Sequence, residues 1–319
     1  MLLPWPAPPV TLGVDLGGSK LLACAVDSAG RIHATVRQET DRRTSPEEVV
    51  GRVAALCERL HDDGLPLSAI GVGVPGLVDH RRGLVLSSVM LDGWEKVDLG
   101  RRLSRATGLP ATLDNDVNMA ARCELGQRGL AVARGDRCLL YVAVGTEIGG
   151  ALCLDGQLWR GAAGVAGEIG HLVVDPQGRR CLCGRRGCLN TVASGPAIEI
   201  AAGIAPGTLA EHWRRREPAV VEAVRAGARA LGRGLADVIH LLNPSLIVLG
   251  GGVAQLGEAY FEEVRSAIAA EAFAEAFATC RIEPSRVGHA AGAIGAAYLA
   301  ATLDPHAQAQ AMLHLVDGP

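Results

Sequence analysis

Short apolar runs separated by glycine-rich and polar turns set the pattern of the first half of the chain. Val10 to Val14 and Leu21 to Val26 flank the turn Asp15-Leu16-Gly17-Gly18-Ser19-Lys20, and Arg31 to Arg37 follows, which predicts a meander of three strands with a Gly-Gly hairpin. Ser45-Pro46-Glu47-Glu48 supplies an N-cap, a first-turn proline and early acids. It predicts a helix to about His61 with Val49, Val53, Leu56 and Leu60 on one apolar face. Ala69 to Val74 reads as a buried strand ending at the sharp turn Pro75-Gly76, and Trp94 as a packing anchor in the loop Leu91 to Trp94. A helix from about Asp98 to Thr107, stopped by Gly108, precedes a strand from Leu109 to Leu113. Asp114-Asn115-Asp116-Val117-Asn118 then opens a helix to about Leu125.

The second half repeats the scheme. The strand Cys138 to Val144 runs into Gly145-Thr146-Glu147-Ile148-Gly149-Gly150 and the strand Ala151 to Leu154. Helices are expected at about Asn190 to Ala202, Leu209 to Arg215 and Glu217 to Leu242. A strand from Ser245 to Leu249 leads into Gly250-Gly251-Gly252, where a helix begins. One long helix from Tyr260 to Phe277, an edge strand from Arg281 to Glu283, a small-residue helix from Ala290 to Leu303 and one more helical turn after Asp304 complete the pattern. Strands alternating with helices predict an α/β protein, and 319 residues suffice for two lobes with separate cores.

Composition narrows the function classes. Positive and negative charges nearly cancel, to a net of -3, which points away from nucleic acid and from anionic membranes. Prolines in Met1 to Pro9 break any secretory helix and no later segment reaches membrane-spanning length, so a cytoplasmic protein is expected. Cys24, Cys57, Cys123, Cys138 and Cys153 lie singly in apolar segments and read as small buried hydrophobes of a reducing compartment.

Candidate chemistry concentrates between Gly167 and Asn190. Gly167-Glu168-Ile169-Gly170-His171 precedes Cys181-x-Cys183-Gly184-x-x-Gly187-Cys188. His171, Cys181, Cys183 and Cys188 can close a tetrahedral structural zinc site; unpaired core thiols or disulfide partners are the competing reading. Glu168 and His171, three residues apart, share a face on a helical turn. The Asp15 to Lys20 turn could bring bare backbone amides, Ser19 and Lys20 to phosphate oxygens, with Asp15 holding a water of Mg²⁺, or could be a ligand-free hairpin. Asp114 to Asn118 carries more polar side chains than one helix cap needs, at a strand end where ligands bind in α/β proteins. The turn at Gly145 repeats the first hairpin, so that two similar lobes would each offer a turn to the same polyphosphate. The glycines after Leu249 could meet a base or ribose, or simply turn the chain.

In this order the motifs resemble the ROK family of sugar kinases, named for repressors, open reading frames and kinases, from about Val10 to Leu303. The most specific part is Glu-x-Gly-His followed by Cys-x-Cys-Gly-x-x-Gly-Cys at Glu168 to Cys188. The resemblance implies a two-lobed actin-like ATPase fold, hexokinase-type and ribonuclease H-like, with a structural zinc loop. The lobes would be residues 9–115 with 290–315, and 116–289. It implies ATP, Mg²⁺ and structural Zn²⁺ as cofactors, a hexose or amino-hexose substrate, and a homodimer or higher homo-oligomer. By analogy Asp116 is the base for the 6-hydroxyl, and Asn115, Glu168, His171 and Asn190 meet the sugar. Asp15, Gly17, Gly18, Ser19, Lys20 and Thr146 would serve the phosphates, and Gly250, Gly251 and Gly252 the adenosine.

Two positions depart from the family pattern. Asn190 stands where a glutamate usually meets the sugar near its first two carbons, which suggests an altered C1 or C2 preference, as for an N-acetylhexosamine or an amino sugar such as kanosamine. Glu147 stands where the second phosphate turn usually has glycine; its carboxylate would repel triphosphate unless it points away. A non-catalytic sugar-binding protein is the alternative function. A sugar-responsive transcriptional regulator is disfavoured because the first turn leaves no room before it for a DNA-binding domain.

Overall fold

The computed structural model describes residues 9–129 and 138–303, and these divide into two compact units. The first takes in the residues up to Arg128 and those from His289 onward, the second the residues between. The division falls after Arg128 rather than after Asn115, because the Asp116–Gln127 helix packs on the Ala291–Ala301 helix of the first unit.

In the first unit, β1 (Val10–Leu16), β2 (Lys20–Asp27) and β3 (Ile32–Glu39) form an antiparallel meander, and β4 (Leu67–Val74) joins β1 in parallel. Three short strands, β5 (Leu77–Asp79), β6 (Leu84–Ser87) and β7 (Glu95–Val97), make a separate small sheet that hydrophobic alternation did not reveal. The strand β8 (Ala111–Asn115) completes the main sheet, in the order β3-β2-β1-β4-β8. The Pro46–Asp62 helix starts as its sequence dictates: the Ser45 hydroxyl accepts from the Glu48 amide, and Val49, Val53, Leu56 and Leu60 are buried. Trp94 is fully buried, and its Nε1 donates to the Thr44 carbonyl at 2.9 Å. The Ala291–Ala301 helix lies close on the sheet because the facing strands carry glycine. A Cβ on Gly13 would sit 1.8 Å from the Ala293 carbonyl oxygen, and one on Gly71 1.9 Å from that of Ala296.

The second unit repeats the topology. Strands β9 (Cys138–Val144), β10 (Ile148–Leu154) and β11 (Gln157–Trp159) are antiparallel, and β12 (Leu246–Gly250) and β13 (Arg281–Pro284) continue in parallel, in the order β11-β10-β9-β12-β13. Leu231, Leu235 and Ile239 of the Pro218–Leu242 helix share a core with Ile247, Leu249, Tyr260 and Val264. Two expected helices are each broken in two. The Asn190–Ala193 and Gly195–Ala202 helices meet at extended Ser194, whose hydroxyl caps the second through the Ala197 amide. The expected helix from Tyr260 to Phe277 is instead Glu258–Glu271 and Ala274–Ala278, because the backbone turns extended at Ala272 and Phe273. After the glycines a short 3₁₀ turn, Ala254–Leu256, precedes them. Among the described residues no helix is long and apolar enough to cross a membrane. The proline-rich lead and the turn expected after Asp304 lie outside the described residues.

Candidate active site

Parallel pairing of β1, β4 and β8 aligns Asp15 with Gly73, and Gly73 with Asp114, so the first unit's candidate residues lie along one sheet edge. The polar run after β8 divides its labour. Buried Asp114 accepts at one oxygen from the Asn115 amide at 2.8 Å and from Asn118 Nδ2 at 2.9 Å. Asn115 is the helix N-cap: its Oδ1 accepts from the amides of Val117, at 2.9 Å, and Asn118, at 3.2 Å. Its Nδ2 donates to the Gly76 carbonyl at 3.2 Å, and a primary amide has a second N–H to give. Asp116 opens the helix, with one carboxylate oxygen accepting from the Val117 amide at 3.0 Å. Asn118 and Gly76 are the site residues sequence reasoning left without a role. The polar run and the Pro-Gly turn marked their places, but not the bonds between them.

The β1–β2 turn is tight, with the Gly17 amide donating to the Lys20 carbonyl at 2.8 Å and the Thr40 hydroxyl donating to the Gly17 carbonyl at 2.8 Å. Ser19 is exposed on it, and Lys20 begins β2. Asp15 keeps a strip of surface, yet protein crowds its carboxyl: a Cβ on Gly292 would come within 2.6 Å of its carboxyl carbon. Burial pushes Asp15 up to about 6, and the Lys20 ammonium only partly offsets it.

In the second unit the two glycine turns adjoin. The Gly145 amide donates to the Glu147 carbonyl at 3.0 Å, placing exposed Thr146 at the tip, and the Gly145 carbonyl accepts from the Gly195 amide at 2.8 Å. Gly250 pairs in register with Ala143, and the Val253 amide donates to the Val144 carbonyl at 3.0 Å. Gly251 needs to be glycine on two counts: its φ is +86°, and a Cβ there would lie 2.4 Å from the Val144 oxygen. Gly252 has open space where a Cβ would stand.

The Gly167 to Asn190 stretch folds against the start of β10. Glu168 precedes the 3₁₀ turn Ile169–His171, and on such a turn residues three apart eclipse. Glu168 Oε2 accordingly lies 3.9 Å from His171 Nε2, while His171 Nδ1 lies 3.6 Å from Cys181 Sγ. Cys183 and Cys188 Sγ are 3.6 Å apart, and the donor atoms of His171, Cys181, Cys183 and Cys188 all lie within 4.8 Å of one another. That spacing and donor set fit a tetrahedral zinc ion. The Arg185 amide pulls the Cys183 thiol down to about 6, whereas burial, with the neighbouring thiols, pushes Cys188 up to about 12. A cation would therefore be needed to hold all three as thiolates.

Asn190 lies against the start of β10. Its Oδ1 accepts from the Ile148 amide at 2.5 Å. Glu147, the preceding residue, is half-buried; burial raises its carboxyl above the usual range, His171 opposes the rise and the Glu168 carboxylate adds to it.

Two similar α/β units with glycine turns at their strand ends define the actin-like kinase fold. The chain belongs to the ROK family, which its sequence matches over residues 11–303. It is 31% identical over 313 residues to the glucokinase of Thermotoga maritima, covering 90% of this chain and 95% of that one. It is 33% identical over 301 residues to the kanosamine kinase of Amycolatopsis mediterranei, covering 92% and 96%. The crystal structure of a ROK family glucokinase from Streptomyces griseus with glucose and AMPPNP superposes with a TM-score of 0.80 at 32% identity, covering 92% of this chain and 99% of that one.

Proposed function

We propose that this protein is an ATP-dependent sugar kinase that transfers the γ-phosphate of ATP to the 6-hydroxyl of a hexose or amino-hexose. The observation that carries the reading is the His171 ring, which turns one nitrogen to the thiol cluster and the other toward Glu168. A side chain anchored in this way presents a fixed donor or acceptor to a polyol. Similarity to kinases of glucose and of kanosamine supports the same substrate class.

Each residue then has a role set by its bonding. Asp116 takes the proton of the 6-hydroxyl as its oxygen attacks the γ-phosphorus, the bond from that phosphorus to the β-phosphate oxygen breaks, and ADP leaves. Asn115 keeps one N–H for a sugar hydroxyl after satisfying Gly76, and the Asp114–Asn118 bond holds the strand end that carries both. Glu168 accepts from ring hydroxyls. The Gly18 amide, on the turn that the Gly17 amide closes onto Lys20, meets phosphate oxygens with Ser19, Lys20 and Thr146, and the backbone from Gly250 to Gly252, open at Gly252, meets the adenosine. Zinc on His171, Cys181, Cys183 and Cys188 would fix the loop's shape, and Mg²⁺ near Asp15 would neutralise phosphate charge.

The test is an assay of ADP release with Mg²⁺ and ATP across a panel of hexoses, amino-hexoses and N-acetylhexosamines. Turnover with at least one sugar, and none with a 6-deoxy analogue, is expected. Sugar binding without turnover on any member would leave a non-catalytic binding protein instead.

A further inference from the structure

We propose that Met90 is a positioning residue for the nucleotide: its side chain backs Gly18 and holds the phosphate turn in the shape that receives the donor's phosphates. The proposal rests on the sugar-kinase reading of this site and adds to it a residue with no charge or strong hydrogen-bonding group of its own.

Thr40 holds the turn from Gly17 to Lys20 by hydrogen bonds on either side of Gly18. The Thr40 hydroxyl donates to the Gly17 carbonyl at 2.8 Å, and the Thr40 amide donates to the Ser19 carbonyl at 3.1 Å. What faces Gly18 itself is half-buried Met90. A Cβ on Gly18 would lie 3.0 Å from Met90 Cε, 3.8 Å from Met90 Cβ and 3.8 Å from the Met90 carbonyl oxygen, so that its three nearest neighbours all belong to that residue. The end of the thioether thus fills the side of Gly18 where a side chain would stand.

Met90 can serve as a strut because its backbone is fixed independently of the turn. The Ser88 hydroxyl accepts from the amides of Met90, at 3.2 Å, and Leu91, at 3.3 Å, and Leu91 and Trp94 are buried in the core. The Asp92 amide donates to the Arg42 carbonyl at 2.6 Å and Trp94 Nε1 to the Thr44 carbonyl, which ties the Met90 segment to the one that begins at Thr40. Toward the sugar-side residues the same segment makes its contact through backbone instead. A Cβ on Gly76 would come within 2.3 Å of the Ser87 carbonyl oxygen, and the Gly76 carbonyl accepts from Asn115 Nδ2. Truncating Met90 therefore leaves the contact behind Asn115 in place and removes the backing of Gly18. A backbone amide is an effective phosphate donor only while it is held at the right distance, and a turn free to shift gives up part of that bond.

The experiment compares wild type with Met90→Ala, Met90→Leu, Gly18→Ala and the double variant Gly18→Ala, Met90→Ala. Calorimetry measures affinity for AMPPNP with Mg²⁺ and, separately, for the sugars of the panel above; steady-state transfer gives KM for ATP and for sugar, and urea denaturation monitors the fold. Met90→Ala is expected to weaken nucleotide binding about 10-fold, the scale of one impaired hydrogen bond to a charged group, with sugar affinity within about twofold of wild type. Met90→Leu, which conserves volume, should retain most of the nucleotide affinity. Gly18→Ala should weaken nucleotide binding because its methyl meets Met90 Cε, and in the double variant that methyl enters the space the thioether leaves, so the combined loss should be smaller than the product of the two single losses. Nucleotide affinity unchanged in Met90→Ala, equal weakening of nucleotide and sugar, or single losses that simply multiply in the double variant would overturn the proposal and leave the kinase reading intact. Absence of AMPPNP binding by wild type would remove both. Nucleotide binding that Met90→Ala weakens, with no phosphate transfer by wild type to any sugar, would uphold the role of Met90 while removing the kinase reading.

Discussion

Asp15 gives a prediction in which the structure fixes sign and size. Replacing it by Asn keeps the side chain's shape and removes a charge that burial disfavours. The folded protein holds the Asp15 proton more tightly than the unfolded chain does, with the carboxyl raised from 3.8 to about 6. Wild-type stability therefore falls as pH rises from about 4 to about 6, and stays lowered above that. At about 1.4 kcal/mol per pH unit the full penalty is at most about 3 kcal/mol. In the free protein, without nucleotide or divalent cation, Asp15→Asn should gain stability relative to wild type across this pH window and hold the gain to pH 8. Urea denaturation followed by circular dichroism at half-unit intervals measures the difference. Because the amide's own packing and hydrogen bonds do not titrate, the pH dependence of the difference isolates the charge. A difference that does not change between pH 4 and pH 8 would refute the reasoning. The variant should also lose phosphate transfer, which would make Asp15 a case of stability given up for function.

Three further outcomes follow from the local bonding. His171→Ala should lose both zinc and sugar affinity, whereas Glu168→Gln should lose sugar affinity and keep zinc; metal analysis of the purified variants separates the two. Asn118→Ala removes a donor from buried Asp114 and should cost about 1–2 kcal/mol in urea denaturation, with weakened turnover because the bonds holding Asn115 and Asp116 loosen. Trp94→Ala empties a fully buried site and abandons the Thr44 carbonyl, for a loss of about 3–5 kcal/mol seen as a lower denaturation midpoint.

What the sequence revealed depended on how local the cause is. Ser45-Pro46 places a helix start to the residue because cap, proline and first-turn acids act within four positions. Gly108 ends its helix in the left-handed conformation for the same reason. The cysteine loop was legible because ligand spacing constrains a short segment directly. The strands β5 to β7 were not, since runs of three or four residues, one of them interrupted by Lys96 at φ 51°, carry too little alternation to read. Continuous Ala- and Glu-rich composition hid the break at Ala272, where no breaker residue stands and the Phe273 amide donates to His240 Nε2 on another helix. Asn190 shows the same limit at the site: its partner is an amide 42 positions away, and only the folded chain reveals that its oxygen is taken.

The central claim is that Asp116 is the base of a phosphate transfer to a sugar hydroxyl, and one variant measures it most directly. Asp116→Asn, supplied with Mg²⁺, ATP and the sugar that wild type turns over, should still bind that sugar by calorimetry while its kcat falls about 10²- to 10⁴-fold. Turnover at the wild-type rate in that variant would contradict the account.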